Sequence, residues 1–344
     1  MYNPGMNRVI ISENGDGYFN LAMDEFLLER HRAGILDGVT LYFYVNSNAV
    51  IIGRNQNAWR ECDWESMERE GVQLVRRHTG GGTVYHDGGN LNFSFIADER
   101  EYDKDRQNRV LLSALSSLGI SAELSGRNDI LVGGRKISGC AYALSGTARG
   151  MHGTLLVNTD FNKLSGYLRP SKLKLSAKGI TSVRSRVLNL AEEFPVTVDG
   201  VRSAVVDSFI NEYGYCRDRI TVRSADDVVR LYEAGKNPRY DSTIERLYAK
   251  HSSWEWRMGR SPVFDSVIEG KTPSFEFQML FTVKNGVIRS YEFYTDSLDT
   301  GTVDGLGVSL EGVRFTREDI AAALEKGGSA AREIANQILK DGDE

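Results

Sequence analysis

The sequence predicts an α+β protein built as a large first domain and a small second one. Antiparallel hairpin signals are mixed with packed helices, which argues against a doubly wound parallel sheet. Glycine is abundant and proline scarce, 35 against 6, which favours many tight turns over stiff linkers. A composition shift near residues 235–260 divides the chain, and we expect a first domain over 1–250 and a second over 251–344.

The elements follow in order. Arg8–Ser12 reads as a short strand, and "NLAMDEFLLERHRAG" as a helix with Leu21, Phe26, Leu27 and Leu28 on its apolar face and Gly34 as its stop. "TLYFYV" and "AVIIG" are two short strands flanking a turn at Asn46–Asn48. "ECDWESMEREG" is a helix closed by Gly71, and "VQLVRRH" and "NLNFSFIA" are strands on either side of a glycine-rich loop. "RQNRVLLSALSSLG" is the one clear helix among the strands that follow, "NDILVGGRKISGCAYAL" and "HGTLLVNTD". Past the loop "GKNPRYDS" and the tryptophan-bearing "HSSWEWRMGRSPVF", a period-two run turns at Asn285-Gly286, a strong hairpin signal. Helices over Arg317–Lys326 and Ala330–Lys340 complete a small α+β unit.

Composition excludes several classes. At 344 residues, 41% hydrophobic and 26% charged, the chain is that of an ordinary globular protein. A net charge of −5 advertises neither nucleic acid nor a membrane surface as partner. The first residues hold no apolar core of signal-peptide length, and no run approaches the ~20 apolar residues of a membrane span. Cys62, Cys140 and Cys216 are an odd number without a CxxC, so a disulfide framework or zinc site is not expected and a reducing cytoplasm is. There is no GxxxxGK[ST], no GxGxxG between strand and helix, no HExxH and no GxSxG.

Three segments carry candidate chemistry. In "RRHTGGGTVYHDGGN", glycine backbone can approach a ligand closely and its N–H groups can form an anion-binding concavity. Arg76 and Arg77 lie in strand-like sequence, so only one of them can face the same site as the loop. A glycine-rich hairpin with surface arginines is the plain alternative. In "SGRNDILVGGRKISGCAYA", Lys136 follows a Gly133-Gly134 turn and precedes small residues that would leave room for a bound molecule. Asn128 and Asp129 offer an amide and a carboxylate for a ribose, a base or Mg²⁺. From Lys163 to Arg186 there are seven basic residues and no acidic one, a charge of +7 inside a chain of −5. A solvated cationic loop and a mobile cover for polyphosphate both fit that strip.

Together these segments resemble lipoate–protein ligase A, of the fold family shared with biotin protein ligases and lipoyl or octanoyl transferases. The matching pieces run in order: "GRNQNAWREC", "RRHTGGGTVYHDGGN", "GRNDILVGGRKISGCAY", "MHGTLLVNTD", "KGITSVRSRVLNL" and "WEWRMGRSPVF". The resemblance implies a large mixed or antiparallel-sheet catalytic domain of the biotin/lipoate ligase type with a small C-terminal α+β domain. It implies ATP-dependent activation of lipoate to lipoyl-AMP, with Mg²⁺, then transfer to a lysine of lipoyl acceptor domains. Those would be 2-oxoacid dehydrogenase E2 subunits and glycine cleavage H protein. Lys136 would be catalytic, bridging lipoate's carboxylate and the α-phosphate. Arg77, Gly80, Gly81, Gly82, Thr83, Val84, Tyr85, Asn128, Asp129 and Lys178 would join it in holding ATP or the adenylate, with Asp129 toward Mg²⁺. Gly139, His152 and Gly153 would help hold lipoate, in a channel walled by the Leu74–Tyr85 hairpin, the Lys136–Ala143 strand and the His152–Leu156 strand.

Two positions depart from the pattern. Thr79 stands in place of serine, keeping the hydroxyl, and Cys140 in place of a small residue without a thiol. The second raises a rival of the same fold, an octanoyl or lipoyl transferase that does not activate free lipoate with ATP. Its cysteine would lie shortly before the His-Gly pair, where "GTARGMHG" has none. A transferase using preformed adenylate, a biotin ligase and a non-enzymatic carrier are the remaining alternatives.

Overall fold

A computed structural model describes residues 6–126, 128–168, 187–214, 218–233, 243–258, 266–284, 286–302 and 306–340. Lys178 and most of the basic strip lie outside the described residues. The fold is α+β, with one large mixed sheet, two small sheets and helices on both faces of the large one.

The first strand, β1 (Arg8–Ser12), runs parallel to β2 (Val39–Tyr44). Between them Asp16 caps α1 (Gly17–Arg32) by accepting the Tyr18 N–H at 2.8 Å, and Gly34 (φ +66°) ends the turn beyond it. The strands flanking Asn46–Asn48 are not a hairpin. All six residues of β2 are buried, and both of its backbone edges are paired within the large sheet, to β1 and to β6 (Asn90–Asp98). The next strand, β3 (Asn48–Ile52), leaves for a separate three-stranded sheet, parallel to β4 (Gln73–Arg76) and antiparallel to β5 (Val84–Asp87). The glycine triplet therefore interrupts no strand. It connects β4 to β5, which pair with β3 and not with each other.

The large sheet continues through β7 (Glu123–Ser125), β8 (Asp129–Val132), β9 (Arg135–Ser145) and β10 (Ala148–Leu156), in the order β11-β1-β2-β6-β10-β9-β8-β7. Edge strand β11 (Asp218–Val222) lies parallel to β1. Strand β6 alternates sharply. Leu91, Phe93 and Phe95 pack beneath α4 (Lys104–Ser117) and the helix Val198–Tyr213, against Leu111 and Phe209. Asn90, Asn92 and Ser94 face the other way, yet are only 0%, 1% and 1% exposed. An alternating strand ordinarily turns its polar face to water. Here α1 and the small sheet cover it, and a polar row is enclosed.

Past the short helix Phe161–Tyr167, helices Ile244–Ser252 and Trp254–Met258 pack against α1 and β4. Lys250 and His251 both bond the Glu25 carboxylate, at 2.6 and 2.8 Å. Beyond them, β12 (Ser266–Lys271), β13 (Glu276–Lys284) and β14 (Val287–Thr295) form an antiparallel sheet. Helices Arg317–Leu324 and Ser329–Lys340 complete it around a core of its own, containing Phe277, Phe281 and Ile334. This unit reaches the glycine loop. The Gly81 N–H donates to the Ser297 carbonyl at 2.8 Å, and the Thr295 N–H to the Asn55 carbonyl at 2.8 Å. Among the described residues no helix is long and apolar enough to cross a membrane.

The contact at Ser297 requires glycine. A Cβ on Gly80 would come within 2.0 Å of the Ser297 carbonyl oxygen, whereas one on Gly82 would meet nothing within 4 Å. Gly80→Ala is therefore expected to destabilise the protein by roughly 1–3 kcal/mol through this forced overpacking, and Gly82→Ala to change stability far less. Thermal melts of the two variants side by side check this; equal melting temperatures would contradict it.

Candidate functional site

Strand alternation decides which arginine serves the loop. Arg76 turns away from it and clasps the chain around it. Its Nη1 donates to the carbonyls of Arg54 and Gln56 at 2.9 and 2.6 Å, and its Nε and Nη2 to those of Trp256 and Arg257 at 2.9 and 2.8 Å. The Trp256 indole N–H answers by donating to the Arg76 carbonyl at 2.8 Å. Arg77 turns under the loop. Its Nη2 donates to the Gly80 and Gly82 carbonyls at 2.7 and 2.8 Å, and its Nε to Gly80 at 3.0 Å. Burial pushes this guanidinium down to about 10, which leaves it cationic at neutral pH.

Thr79 anchors the start of the loop. Its hydroxyl lies 2.7 Å from His152 Nε2, and His152 Nδ1 lies 2.8 Å from Asp24 Oδ2 on α1. Burial alone would raise the Asp24 carboxyl, but the charge and hydrogen bond of His152 hold it below the usual carboxylate range. Asp24 thus accepts the Nδ1–H of His152, while Nε2 on the far side of the ring is paired with the Thr79 hydroxyl. The far end of the loop is tied by Gln56, whose Oε1 accepts from Thr83 Oγ1 at 3.0 Å and from the Gly53 N–H at 2.8 Å.

The loop borders a cavity of about 400 Å³, within the usual range for small-molecule sites. The cavity runs along the polar row of the large sheet. The β6–β10 register sets Ser94 opposite His152, Asn92 opposite Thr154 and Asn90 opposite Leu156, so five residues of β10, four steps of about 3.3 Å, span about 13 Å. At the His152 end its walls are Leu21 from α1, Tyr44 from β2 and Ile51 from β3. At the other end are Lys136, Thr159, Phe161 and Leu168.

Lys136 is half-exposed and ion-paired, Nζ to Asp129 Oδ1 at 2.8 Å. A Cβ on Gly139 would sit 2.9 Å from that Nζ, so the absent side chain is what lets the ammonium lie over the strand. The Asn128 side chain holds backbone instead, donating to the Cys140 carbonyl at 2.8 Å. Cys140 is 5% exposed on the cavity wall, and burial pushes its thiol up to about 11.

The cavity gathers Arg77, Gly81, Gly82, Thr83, Val84 and Tyr85 from the loop and β5. It also gathers Asn128, Lys136, Gly139, His152 and Gly153. Gly80 lies beneath Ser297 and outside the lining, and Asp129 reaches the cavity only through Lys136. Sequence reasoning missed Leu21, Tyr44, Asn90, Thr159 and Leu298, all of which line it, as does His86, whose place next to Asp87 beside the two arginines pointed toward a ligand site without giving it a role. His86 Nε2, Asn90 Oδ1 and Thr159 Oγ1 are buried without a hydrogen-bond partner among the described residues. The sequence shows Asn90 on the polar face of β6 but not that this face is covered. Leu298 arrives from the second unit and leaves no local trace in the sequence.

Residues 16–210 match the family described as lipoyl protein ligase A/B catalytic domain, and residues 261–340 the bacterial lipoate protein ligase C-terminus. The chain is similar to the Plasmodium falciparum protein LipL1 solved in complex with lipoate (28% identity, 97% of this chain and 99% of that one, TM-score 0.79). It is also similar to a bipartite lipoate protein ligase from Thermoplasma acidophilum, described with its E2 lipoyl domain (30% identity, 75% and 99% covered, TM-score 0.61). A lipoate-protein ligase A bound with ATP matches at 30% identity, over 74% of this chain and 99% of that one, with a TM-score of 0.59.

Two expectations follow from the burial of ionisable groups. Burial pushes His31 and His86 down to about 3 and His78 to about 4. These side chains are uncharged in the native protein but titrate near 6.5 when unfolded. Below about pH 6.5 the unfolded chain binds protons that the native chain refuses. Stability should therefore fall as pH drops from about 6.5 toward 4, by up to about 1.4 kcal/mol per pH unit for each histidine. Urea denaturation at pH 7.5, 6 and 5 reads the slope, and a flat profile would contradict it. In the same way, the Cys140 thiol should stay protonated at pH 7.5 and resist iodoacetamide in the native protein. Peptide mass spectrometry after alkylation checks this, with an adduct at Cys140 as the contrary result.

Proposed function

Because the chain belongs to the lipoyl protein ligase A/B family, we propose that it activates lipoate with ATP and transfers the lipoyl group to acceptor lysines. The observation that carries this reading is the shared cavity: Lys136 faces, across one enclosed space, a glycine loop braced by Arg77. The ATP-bound and lipoate-bound relatives support it.

In the first step a carboxylate oxygen of lipoate attacks the α-phosphorus of ATP, and the bond to the departing pyrophosphate breaks. Two anions are brought together, so fixed positive charge is needed where charge accumulates. Lys136 supplies it, a compact cation suited to bridging two oxygens, and Asp129 keeps the ammonium aimed across Gly139. In the second step an acceptor amine attacks the acyl carbon, and AMP leaves with the shared oxygen. In this proposal Lys178 joins the nucleotide contacts, and the apolar His152 end of the cavity takes the acyl chain. The division of labour proposed with it gives catalysis to residues 1–250 and an accessory role to 251–344, with the helix Trp254–Met258 as the strap between them.

The described residues do not build a magnesium cage. They contain no group of three or more His, Cys, Asp or Glu that could hold a metal ion, and Asp129 is engaged by Lys136. Mg²⁺ is commonly held by one or two carboxylates together with substrate phosphates and waters, so in the proposal it comes with ATP and Asp129 would be its protein ligand. Acceptors would be E2 lipoyl domains, supported by the Thermoplasma pairing, and glycine cleavage H protein. We place the reaction in a reducing cytoplasm, in keeping with the buried, protonated thiol of Cys140. The rival transferase needs a reactive thiol, and the buried, protonated Cys140 argues against it.

Lipoate-dependent exchange of pyrophosphate into ATP, measured without acceptor, tests the activation step. Lys136→Ala is expected to lower exchange at least a hundredfold, the effect of losing one preorganised donor worth about 3 kcal/mol, with melting little changed. Undiminished exchange in that variant would remove Lys136 from the reaction. No exchange in the unaltered protein, with transfer still seen from an octanoylated carrier, would favour the transferase.

A further inference from the structure

His86 is 4% exposed, lines the cavity, and has no hydrogen-bond partner at Nε2 among the described residues. A buried donor left unmatched is costly, so its position in a ligand cavity calls for an acceptor on the ligand.

The proton on Nε2 is fixed by a chain of side chains. Asn20 Oδ1 accepts from Ser12 Oγ and Tyr42 Oη, at 2.7 and 3.1 Å, which orients its amide. Asn20 Nδ2 then donates to Asn46 Oδ1 at 2.9 Å, which orients the second amide. Asn46 Nδ2 in turn faces His86 Nδ1 at 3.1 Å. Nδ1 is the acceptor, so the hydrogen sits on Nε2. Burial, helped by Arg77 and His152, pushes the imidazole down to about 3, so the donor is neutral.

Its location identifies the ligand atom. On β5, His86 sits opposite Ala49 of β3, and Ala49 and Ile51 join the hydrophobic cluster of Leu21 and Tyr44. His86 thus shares the wall of the cavity with Leu21, Tyr44 and Ile51, and the charged groups near it are Arg77 and His152 and not Lys136. The other donors there, His152 and Arg77, are bonded to Asp24, Thr79 and loop carbonyls. A carboxylic acid lying along β10 with its carboxylate at Lys136 would bring its tail to His86. A saturated tail has nothing to accept a hydrogen bond, whereas a dithiolane tail has two sulfurs.

We propose that His86 sets the acyl specificity of this cavity, donating its Nε2–H to a ring sulfur of a cyclic disulfide acid and so favouring lipoate over octanoate. The proposal rests on the ligase reading above. Sulfur is a weak acceptor, so the preference is modest.

The test compares exchange kinetics with lipoate and with octanoate for the full-length protein, His86→Leu and His86→Gln. The expected result is a fall of about tenfold in the lipoate-to-octanoate ratio of kcat/KM for His86→Leu, the scale of a small pocket difference. His86→Gln, which retains an N–H donor, should keep most of the preference, and KM for ATP should not move in either variant. Equal losses for both acids, or a raised KM for ATP, would overturn the assignment. Calorimetric titration of the two acids without ATP separates the two readings. Tighter lipoate binding that depends on His86, in a protein lacking exchange, would sink the ligase reading and support this one. Equal affinities for the two acids would sink this one alone.

Discussion

The structure of the site depends on where a buried guanidinium finds its acceptors. Arg77 is 7% exposed, and a cation so enclosed must be matched by oxygen. Among the described residues no acidic side chain lines the cavity around it, so the matching falls to backbone carbonyls, those of Gly80, Gly82 and Ile51. Drawing two carbonyls of one short loop onto a single side chain demands tight curvature, and Gly81 makes it at φ +97°. Side chains would obstruct it: a Cβ on Gly81 would lie 2.7 Å from Arg77 Nη2, and one on Gly53 2.0 Å from the Gly81 carbonyl oxygen. The glycine triplet and the second arginine of the pair are thus one feature. Arg77 borders the cavity and in this structure braces the loop from beneath.

A second constraint fixes the height of that loop above the sheet. Asp24 on α1, His152 on β10 and Thr79 before the glycines form a hydrogen-bonded line across three elements. Because each member is buried, a shift of the loop would break a bond that water does not readily replace. The C-terminal unit adds a third tie through Ser297 and Leu298, which lie against Gly80 and Gly81. The loop is therefore held from below, from behind and from above by parts of the chain distant in sequence.

Much of the first level was legible in the sequence because it is local. The positive-φ stops at Gly34 and Gly71 and the β13–β14 hairpin are set by residues within a turn of each other, whereas the caps at Asp16 and Asp103 start their helices a few residues before the expected Asn20 and Arg106. Strand period two also assigned Arg76 and Arg77 to opposite faces. Pairing partners were not legible. Two short strands flank the turn at Asn46–Asn48 as expected, but they belong to different sheets, since each satisfies its edges with partners that no local pattern names. Nor did alternation in β6 reveal that its polar face is enclosed, because a sequence shows that a face is polar and not what covers it. The +7 strip was conspicuous by composition, yet most of it falls outside the described residues.

Within the cavity, charge is arranged as a gradient and not as a cluster. At one end the Lys136 ammonium is half-exposed with a carboxylate beside it at 2.8 Å. At the other, His86 is held neutral, His152 is tied to Asp24, and Arg77 is enclosed by its own loop. With side chains 38% and 33% exposed, the pair is partly screened by water, so Asp129 can share Lys136 with an incoming anion more readily than a fully buried pair could. A buried pair would not exchange so readily, because separating it strands a charge in low dielectric. The exposed end is thus suited to anions that arrive and leave, and the enclosed end to an uncharged chain. In the proposed reaction this polarity would orient an amphiphilic acid with its carboxylate toward Lys136 and its tail toward α1.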